Sequence, residues 1–581
     1  MTFFRPDLDD IRPYTRPTEP EGLARLHMNE AATDWPTAAR AALLERLRGL
    51  PFRVYPERQG ELTERLRLRL GAPAGGVLLG PSSGALLDLI ALAGLSQGDA
   101  VATPEPGFSL YPLLVKRHGG KLRPVLVGDG FPLEPWFAAL DENPRQLWLT
   151  LPNNPSGAWV PPEVLEPLLK AAAKRDILVV LDEAYAEFAP CTHRLAPERF
   201  PNLLLLRTFS KAFACAAWRL GYLVGDPALM EKLAALQLPY SIPAPALEAL
   251  DVAMDFAGDF EQEIRATTFR RDRLAAGLRD HEAAPSAANF LLMRPDPSSA
   301  LREAGQLARA LPGAGSARVG IGDEGITTAT ARALGGSLAA LPEPAARRLL
   351  VLDMDGVLID AAESFSEAVR RALADLRPGL PWTEAHFTAF KRVGGFNNDF
   401  RLTAGALALS ETDGTSDLLP ALEGAEGRGF ADLEGRIRDL EPEARLVVQR
   451  HYAETVTLER PLITREELHL EGWDLAILTG RPPEELDLAR RLLGFELPGL
   501  CDSAPHLRKP GPAGLLQLAD AFRAEEILFV GDTRDDAACL RAAAAVRPEL
   551  SWRFAAVGPD RERLDADLRA TTLRDLLKEL A

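Results

Sequence analysis

The sequence predicts an α/β protein built as two successive units, each around a mostly parallel sheet, and three observations carry that expectation. Apolar runs of strand length, at residues 146–151, 203–206 and 349–352, alternate with stretches of helical periodicity. These runs end in polar residues, which places chemistry-bearing side chains along the carboxyl rim where open α/β sheets bind ligands. A brief, stiff joint, Leu341-Pro342-Glu343-Pro344-Ala345, separates the two series.

Size and charge bound the function. At 581 residues the chain exceeds one core, since a domain takes about 150 residues. Its 46% hydrophobic and 26% charged content is that of an ordinary globular chain. A net charge of -17 argues against nucleic acid and anionic membrane as partners, while small phosphorylated anions need only local positive clusters. The four cysteines, at 191, 215, 501 and 539, form no CxxC pair, which points to a reducing compartment. Asp7, Asp9 and Asp10 stand where a secretory leader would be basic, and no apolar run reaches membrane length, so a cytoplasmic protein is expected.

Residues 1–36 are proline-rich and read as an extended arm. Helical patterning at 38–48 and 61–70 brackets Val54-Tyr55-Pro56. A short strand at 77–79 enters the turn Gly80-Pro81-Ser82-Ser83-Gly84 before a helix at 85–93, and such a turn exposes N–H groups to an anion. After a strand at 99–103, the loop 104–111 carries Phe108, which is either a core residue or a lid over a flat ring. The strand at 146–151 ends at Pro152-Asn153-Asn154, and the one at 177–181 ends at Asp182-Glu183-Ala184-Tyr185.

The run 203–206 leads into Arg207-Thr208-Phe209-Ser210-Lys211, after which a helical segment is expected. Any single lysine is most simply a solvated one. At a strand end, however, a desolvated lysine can lose its proton and attack an aldehyde, and Ser210 and Arg219 beside it suit a phosphate monoester. Together these residues point to pyridoxal phosphate. Asp182 would keep the pyridine nitrogen protonated, and Asn154 and Tyr185 would lie near the ring oxygen. Lys211 would bond the aldehyde and then shuttle a proton.

Arg12-Pro13-Tyr14, Asn29-Glu30, Tyr55-Pro56-Glu57, the segments 152–157, 182–188 and 207–213, and Ala288-Asn289-Phe290 give residues 10–330 a resemblance to the fold-type-I aminotransferases, most closely the histidinol-phosphate aminotransferase family. The resemblance implies the fold of the pyridoxal-phosphate-dependent transferases over 1–342. Its large domain would span about 40–235, and its small α/β domain would come from the N-terminal arm and about 240–342. It further implies that Ser83, Gly84, Ser210 and Arg219 hold the cofactor phosphate and that Phe108 stacks on the ring. Tyr55 would reach in from the other subunit of a homodimer. Arg318 would take the carboxylate of a glutamate co-substrate, with Tyr14, Asn29 and Arg309 by the other, phosphorylated substrate. The chain departs from the family at Gly84-Ala85, where an acidic pair is usual, and at Ala216-Ala217, where Ala-Gly is usual.

In the second series, the strand at 349–352 ends in Asp353-Met354-Asp355-Gly356. Two carboxylates so spaced allow one to attack phosphorus while the other protonates the departing oxygen, although DxDG alone also occurs in calcium loops. Three later segments narrow the choice. Thr479-Gly480-Arg481 offers a hydroxyl and N–H groups to phosphoryl oxygens, and Arg508-Lys509-Pro510 offers an ammonium. Gly531-Asp532-Thr533-Arg534-Asp535-Asp536 offers a carboxylate that can join Asp353 on Mg²⁺.

This order resembles the haloacid-dehalogenase-like phosphatases over 348–581, with 343–347 as linker, and implies a Rossmann-like domain with a helical cap at about 364–468. By that resemblance Asp353 is the nucleophile and Asp355 the acid/base. Thr479, Gly480 and Lys509 would bind phosphate, and Asp353, Asp355, Asp532 and Asp536 would serve the metal. An aspartate at 355 points to phosphate-ester hydrolysis rather than dehalogenation. Residues 391–399 are either a substrate loop or a solvated turn.

The two resemblances describe consecutive steps of histidine biosynthesis, so a bifunctional enzyme is expected. Alternatives are a threonine-phosphate decarboxylase-like or other amino-acid aminotransferase fused to a phosphatase of different specificity, or a non-catalytic regulatory descendant.

Overall fold

A computed structural model describes residues 22–393, 396, 398–413, 417–425 and 430–581. Tyr14 lies outside the described residues. The chain divides into two compact units, one running to Pro344 apart from 69–71, the other comprising Arg69–Gly71 and Ala345–Ala581. The α/β class expected from the sequence is observed in both.

In the first unit the short strand β1 (Ala24–Arg25) precedes a seven-stranded sheet made of β2 (Val77–Gly80), β3 (Ala100–Glu105), β4 (Lys121–Leu126), β5 (Gln146–Thr150), β6 (Leu178–Asp182), β7 (Leu203–Thr208) and β8 (Gly221–Gly225). Its order is β2-β8-β7-β6-β5-β3-β4, parallel except that β8 runs antiparallel to both neighbours. Strands β5 and β7 are buried at every residue, as the uninterrupted apolar runs require of strands covered on both faces.

The helix expected after Lys211 is absent. Residues 211–220 form tight turns, with Ala214 and Arg219 at φ of +49° and +55°. The alanine-rich segment favours a helix locally, but β8 must return beside β7 in the opposite sense, and a short turned connection achieves that.

A second, four-stranded antiparallel sheet of order β12-β13-β10-β9 is built from β9 (Glu282–Ala283), β10 (Phe290–Arg294), β12 (Arg309–Leu311) and β13 (Ser316–Gly320), while β11 (Gln306–Leu307) pairs with β1. The N-terminal segment 26–30 thereby lies against β13, through the Gly320 N–H on the Leu26 carbonyl at 2.7 Å.

The second unit centres on a six-stranded parallel sheet of β14 (Arg348–Leu352), β17 (Trp473–Leu478), β18 (Gly499–Leu500), β19 (Glu526–Gly531), β20 (Ser551–Ala556) and β21 (Leu568–Arg569), in the order β18-β17-β14-β19-β20-β21. Between β14 and β17, β15 (Ile359–Asp360) pairs antiparallel with β16 (Arg460–Pro461), and the chain between them forms a helical insertion. Its first helix, Ala362–Leu376, buries Phe365, Ala368, Val369, Ala372 and Leu373. That i, i+3, i+4 stripe packs on the helices Asp399–Asp413 and Glu434–Thr455. No helix among the described residues is long and apolar enough to cross a membrane.

Candidate active sites

In the first unit, β6 delivers Asp182 to the rim, paired in register with Leu206 of β7, and Lys211 follows β7 by three residues. Lys211 Nζ donates to the Met28 carbonyl at 2.9 Å and lies 5.9 Å from the Tyr185 ring centre. Burial, reinforced by Arg318 and Arg219 and opposed by Glu30, pulls its pKa down to about 8. Asp182 accepts the Tyr111 hydroxyl at 2.8 Å and the Ala184 N–H at 3.2 Å. Burial still pushes its carboxyl up to about 6. A buried carboxylate served by two neutral donors is suited to a cationic N–H, which is what a protonated ring nitrogen offers.

Tyr185 Oη accepts from Asn29 Nδ2 at 3.0 Å and Asn154 Nδ2 at 3.4 Å. Arg318 donates through Nη1 to Asn154 Oδ1 and through Nη2 to the His27 carbonyl, both at 2.6 Å. Asn29, Asn154, Tyr185 and Arg318 are thus joined directly, with Lys211 over the Tyr185 ring. Behind them Glu183 binds Arg207 Nε at 2.9 Å and His193 Nδ1 at 2.9 Å. Burial would raise the Glu183 carboxyl, but Arg207 and His193 outweigh it and hold it at about 2. This fixed ion pair anchors the turn that carries Asp182 and Tyr185.

The turn after β2 is shaped for an anion. Ser82, at φ +101°, caps the helix Ser83–Gly94 by accepting the Ala85 N–H at 3.2 Å, which leaves the N–H groups of Ser83 and Gly84 without helical acceptors. A Cβ on Gly221 would stand 2.6 Å from the Ser83 nitrogen, so β8 can pass this close only with glycine there. Ser210 is buried and accepts the Thr208 hydroxyl at 3.0 Å. Arg219 is exposed and donates to the Ala216 carbonyl at 3.1 Å. Phe108 meets the Tyr111 ring edge-on at 5.5 Å, and the exposed Tyr55 stacks on Tyr240 at 4.6 Å. Arg309 stands opposite Arg318 in the β12–β13 register.

In the second unit, Asp353 follows β14 and Asp532 follows β19, its parallel neighbour. Lys509 Nζ lies 2.9 Å from Asp353 Oδ1 and 2.5 Å from Asp536 Oδ1. Carboxylate oxygens of Asp353, Asp532 and Asp536 all fall within 4.8 Å of one another. Burial, opposed by Lys509 and aided by Asp536 and Asp355, pushes Asp353 up to about 7. Burial and the neighbouring carboxylates raise Asp532 well above the usual range. Three carboxylates crowded around one ammonium fit a hard divalent cation such as Mg²⁺. Gly356, at φ +73°, explains the glycine of the DxDG motif, because a Cβ there would come within 2.1 Å of Asp532 Oδ2.

Asp355, expected among the metal ligands, is not drawn into that cluster. Arg481 holds it instead, Nη2 to Oδ1 at 2.6 Å, while Arg481 Nη1 bonds Tyr452 Oη at 2.9 Å and Glu459 Oε2 at 3.1 Å. The guanidinium is buried and cannot lose its charge, so it takes the carboxylate nearest its fork. Thr479 is buried, its Oγ1 accepting the Arg481 N–H at 3.2 Å, and Gly480 lines the adjoining cavity.

That cavity is open to solvent beneath the helical insertion, and its wall includes Asp353, Asp355, Lys391, Asp399, Arg481 and Glu485. Lys391 pairs with Asp399 at 2.9 Å. Of the segment 391–399, residues 394, 395 and 397 lie outside the described residues. Burial pushes the Glu485 carboxyl up to about 8.

The family model "Aminotransferase class I and II" matches residues 22–319, about half of the chain. The chain belongs to the class I and II aminotransferases. A second model, "haloacid dehalogenase-like hydrolase", matches residues 348–544, so this aminotransferase carries a hydrolase domain of that type in its C-terminal part. It is similar to histidinol-phosphate aminotransferase 1 of Thiobacillus denitrificans, 35% identical over 265 residues, which cover 44% of this chain and 67% of that one. Histidinol-phosphate aminotransferase of Thermococcus kodakarensis is 32% identical over 301 residues, covering 51% and 88%. Among solved structures, histidinol-phosphate aminotransferase from Sinorhizobium meliloti in complex with pyridoxal-5'-phosphate aligns with a TM-score of 0.53. It is 24% identical and covers 57% of this chain and 97% of that one, a likeness of fold.

Sequence reasoning gave no role to Tyr111, which orients the Asp182 carboxylate of this aminotransferase, nor to the Glu183–Arg207–His193 cluster. In its hydrolase domain the contacts of Arg481 with Asp355 and Glu459, and the burial of Glu485, were equally silent. These residues signal themselves only by the burial of polar and charged groups in three dimensions.

Proposed function

We propose that the chain is a bifunctional enzyme of histidine biosynthesis. Its first unit transfers an amino group from glutamate to a small phosphorylated ketone, imidazole-acetol phosphate, and its second hydrolyses the phosphate ester of the resulting histidinol phosphate. On this reading residues 1–342 are the transaminating unit, 348–581 the phosphatase and about 364–468 its cap. The protein works in the cytoplasm as a homodimer to which Tyr55 contributes. The observation that carries the reading is the succession, in one chain, of a histidinol-phosphate-aminotransferase-like unit and a hydrolase domain in which Asp353 follows β14 and Lys509 pairs with it.

Bound pyridoxal phosphate supplies a ring that accepts the charge released when a substrate α-proton leaves. The chain's own residues do the rest. Lys211 Nζ, poised near neutrality by burial, takes that proton and returns it. Asp182 holds the proton of the ring nitrogen, with Tyr111 fixing its orientation. Asn154 and Tyr185 steady the ring oxygen, and Ser83, Gly84, Ser210 and Arg219 cradle the phosphate. Arg318 receives the glutamate carboxylate, exchanging the amide oxygen of Asn154 for it.

In the second unit Asp353, Asp532 and Asp536 would hold Mg²⁺, whose charge offsets that of the phosphate. Asp353 would attack phosphorus while the ester oxygen leaves with a proton from Asp355 under the grip of Arg481; water would then cleave the Asp353–phosphoryl bond, returning a proton to Asp355 and releasing inorganic phosphate, with Lys509 neutralising charge on the phosphoryl oxygens throughout. Assays with imidazole-acetol phosphate plus glutamate, and separately with histidinol phosphate, test the reading. Turnover of both supports it; turnover of neither rejects the histidine assignment.

A further inference from the structure

Four carboxylates line the cavity of the hydrolase domain, and three are matched: Asp353 by Lys509, Asp355 by Arg481 and Asp399 by Lys391. The fourth, Glu485, is only 6% exposed, and its carboxylate makes no ion pair or hydrogen bond among the described residues. Arg481 acts on it electrostatically, but the nitrogens of that guanidinium are spent on Asp355, Glu459 and Tyr452. Burial disfavours the ionised form of this carboxyl, and an ammonium entering the cavity beside it would restore that form by pairing with it, the displaced proton passing to solvent. Beside it Phe365 and Tyr452 stack at 5.1 Å and 9°, giving the cavity an aromatic wall.

We propose that Glu485 is the specificity residue of the second site, the carboxylate that receives the protonated amine of a phosphomonoester whose phosphate sits at Asp353. The substrate class is then phosphate esters of amino alcohols. The inference rests on reading this domain as a phosphatase, but not on the histidine assignment. The site thus selects by two charges: phosphate beside Asp353 and its partner Lys509, ammonium beside Glu485.

The test compares kcat/KM of the full-length protein with Mg²⁺ on histidinol phosphate, 2-aminoethyl phosphate and its neutral counterpart ethyl phosphate. The proteins are the wild type, Glu485→Gln and Glu485→Lys. The neutral ester is the reference within each protein, so a partly unfolded variant does not alter the ratio. Wild type should favour the aminoalkyl ester by about 10- to 100-fold, the size of one charge-assisted contact. Glu485→Gln should bring that ratio near one, and Glu485→Lys should invert it. Preference for the amine without turnover of histidinol phosphate supports the amine subsite while sinking the histidine assignment. Turnover of histidinol phosphate with a ratio that Glu485→Gln leaves unmoved overturns the subsite alone. No turnover of any ester overturns both.

Discussion

Arg481 grips Asp355 with two nitrogens of its fork, Nη2 to Oδ1 at 2.6 Å and Nε to Oδ1 at 3.0 Å, and braces itself on Tyr452 with a third. An acid/base carboxylate must point at the leaving oxygen, and a buried bidentate clamp sets that direction. Arg481→Lys keeps the charge but loses the fork. Steady-state assays should show phosphatase kcat/KM down by about 10- to 100-fold, with transamination unchanged because that chemistry belongs to the other unit.

Lys211 gives a pH dependence. Its pKa is lowered to about 8, and the neutral amine is the form that attacks the cofactor aldehyde. Pyridoxal phosphate capture by the cofactor-free protein, followed by absorbance, should therefore accelerate as pH rises through about 8 and level off above it. A rate already flat at pH 7 would contradict the buried setting of this lysine. Lys211→Ala should abolish both capture and transamination.

Tyr111→Phe removes a charge-assisted bond from Asp182 while keeping the ring that packs on Trp148 at 5.4 Å. Cofactor affinity, measured by absorbance titration, should fall by about tenfold. An unchanged affinity would mean that the phenol does not position the carboxylate.

Removing divalent metal should silence the phosphatase and spare the transaminase. Chelation followed by Mg²⁺ return should restore phosphate release. Because Asp353, Asp532 and Asp536 repel one another, metal should also raise the unfolding temperature of the second unit, by a stabilisation of about 2.7 kcal/mol at a hundredfold excess over Kd. Asp532→Asn should weaken that thermal shift, which calorimetry can read without any activity assay.

The residues legible in the sequence are those at strand ends, since an apolar run followed by a polar turn is a local pattern. Asp182, Lys211, Asp353 and Asp532 all announce themselves in this way. Tyr111 does not, because the carboxylate it serves is 71 positions away, and the Arg481–Asp355 pair spans 126. Residues 211–220 misled for a different reason. Alanine favours a helix, but pairing of β8 with both β2 and β7 decided the backbone. The resemblance placed Asp355 with the metal; its side chain pairs with the buried guanidinium of Arg481, and the carboxylates that cluster among the described residues are Asp353, Asp532 and Asp536.

The most direct test follows inorganic phosphate released by the full-length protein given pyridoxal phosphate, Mg²⁺, glutamate and imidazole-acetol phosphate. Release should require both sites: Lys211→Ala should block it from imidazole-acetol phosphate but not from histidinol phosphate, and Asp353→Asn should accumulate histidinol phosphate instead. Undiminished release from imidazole-acetol phosphate by Lys211→Ala, or none from histidinol phosphate by the wild type, would contradict the account.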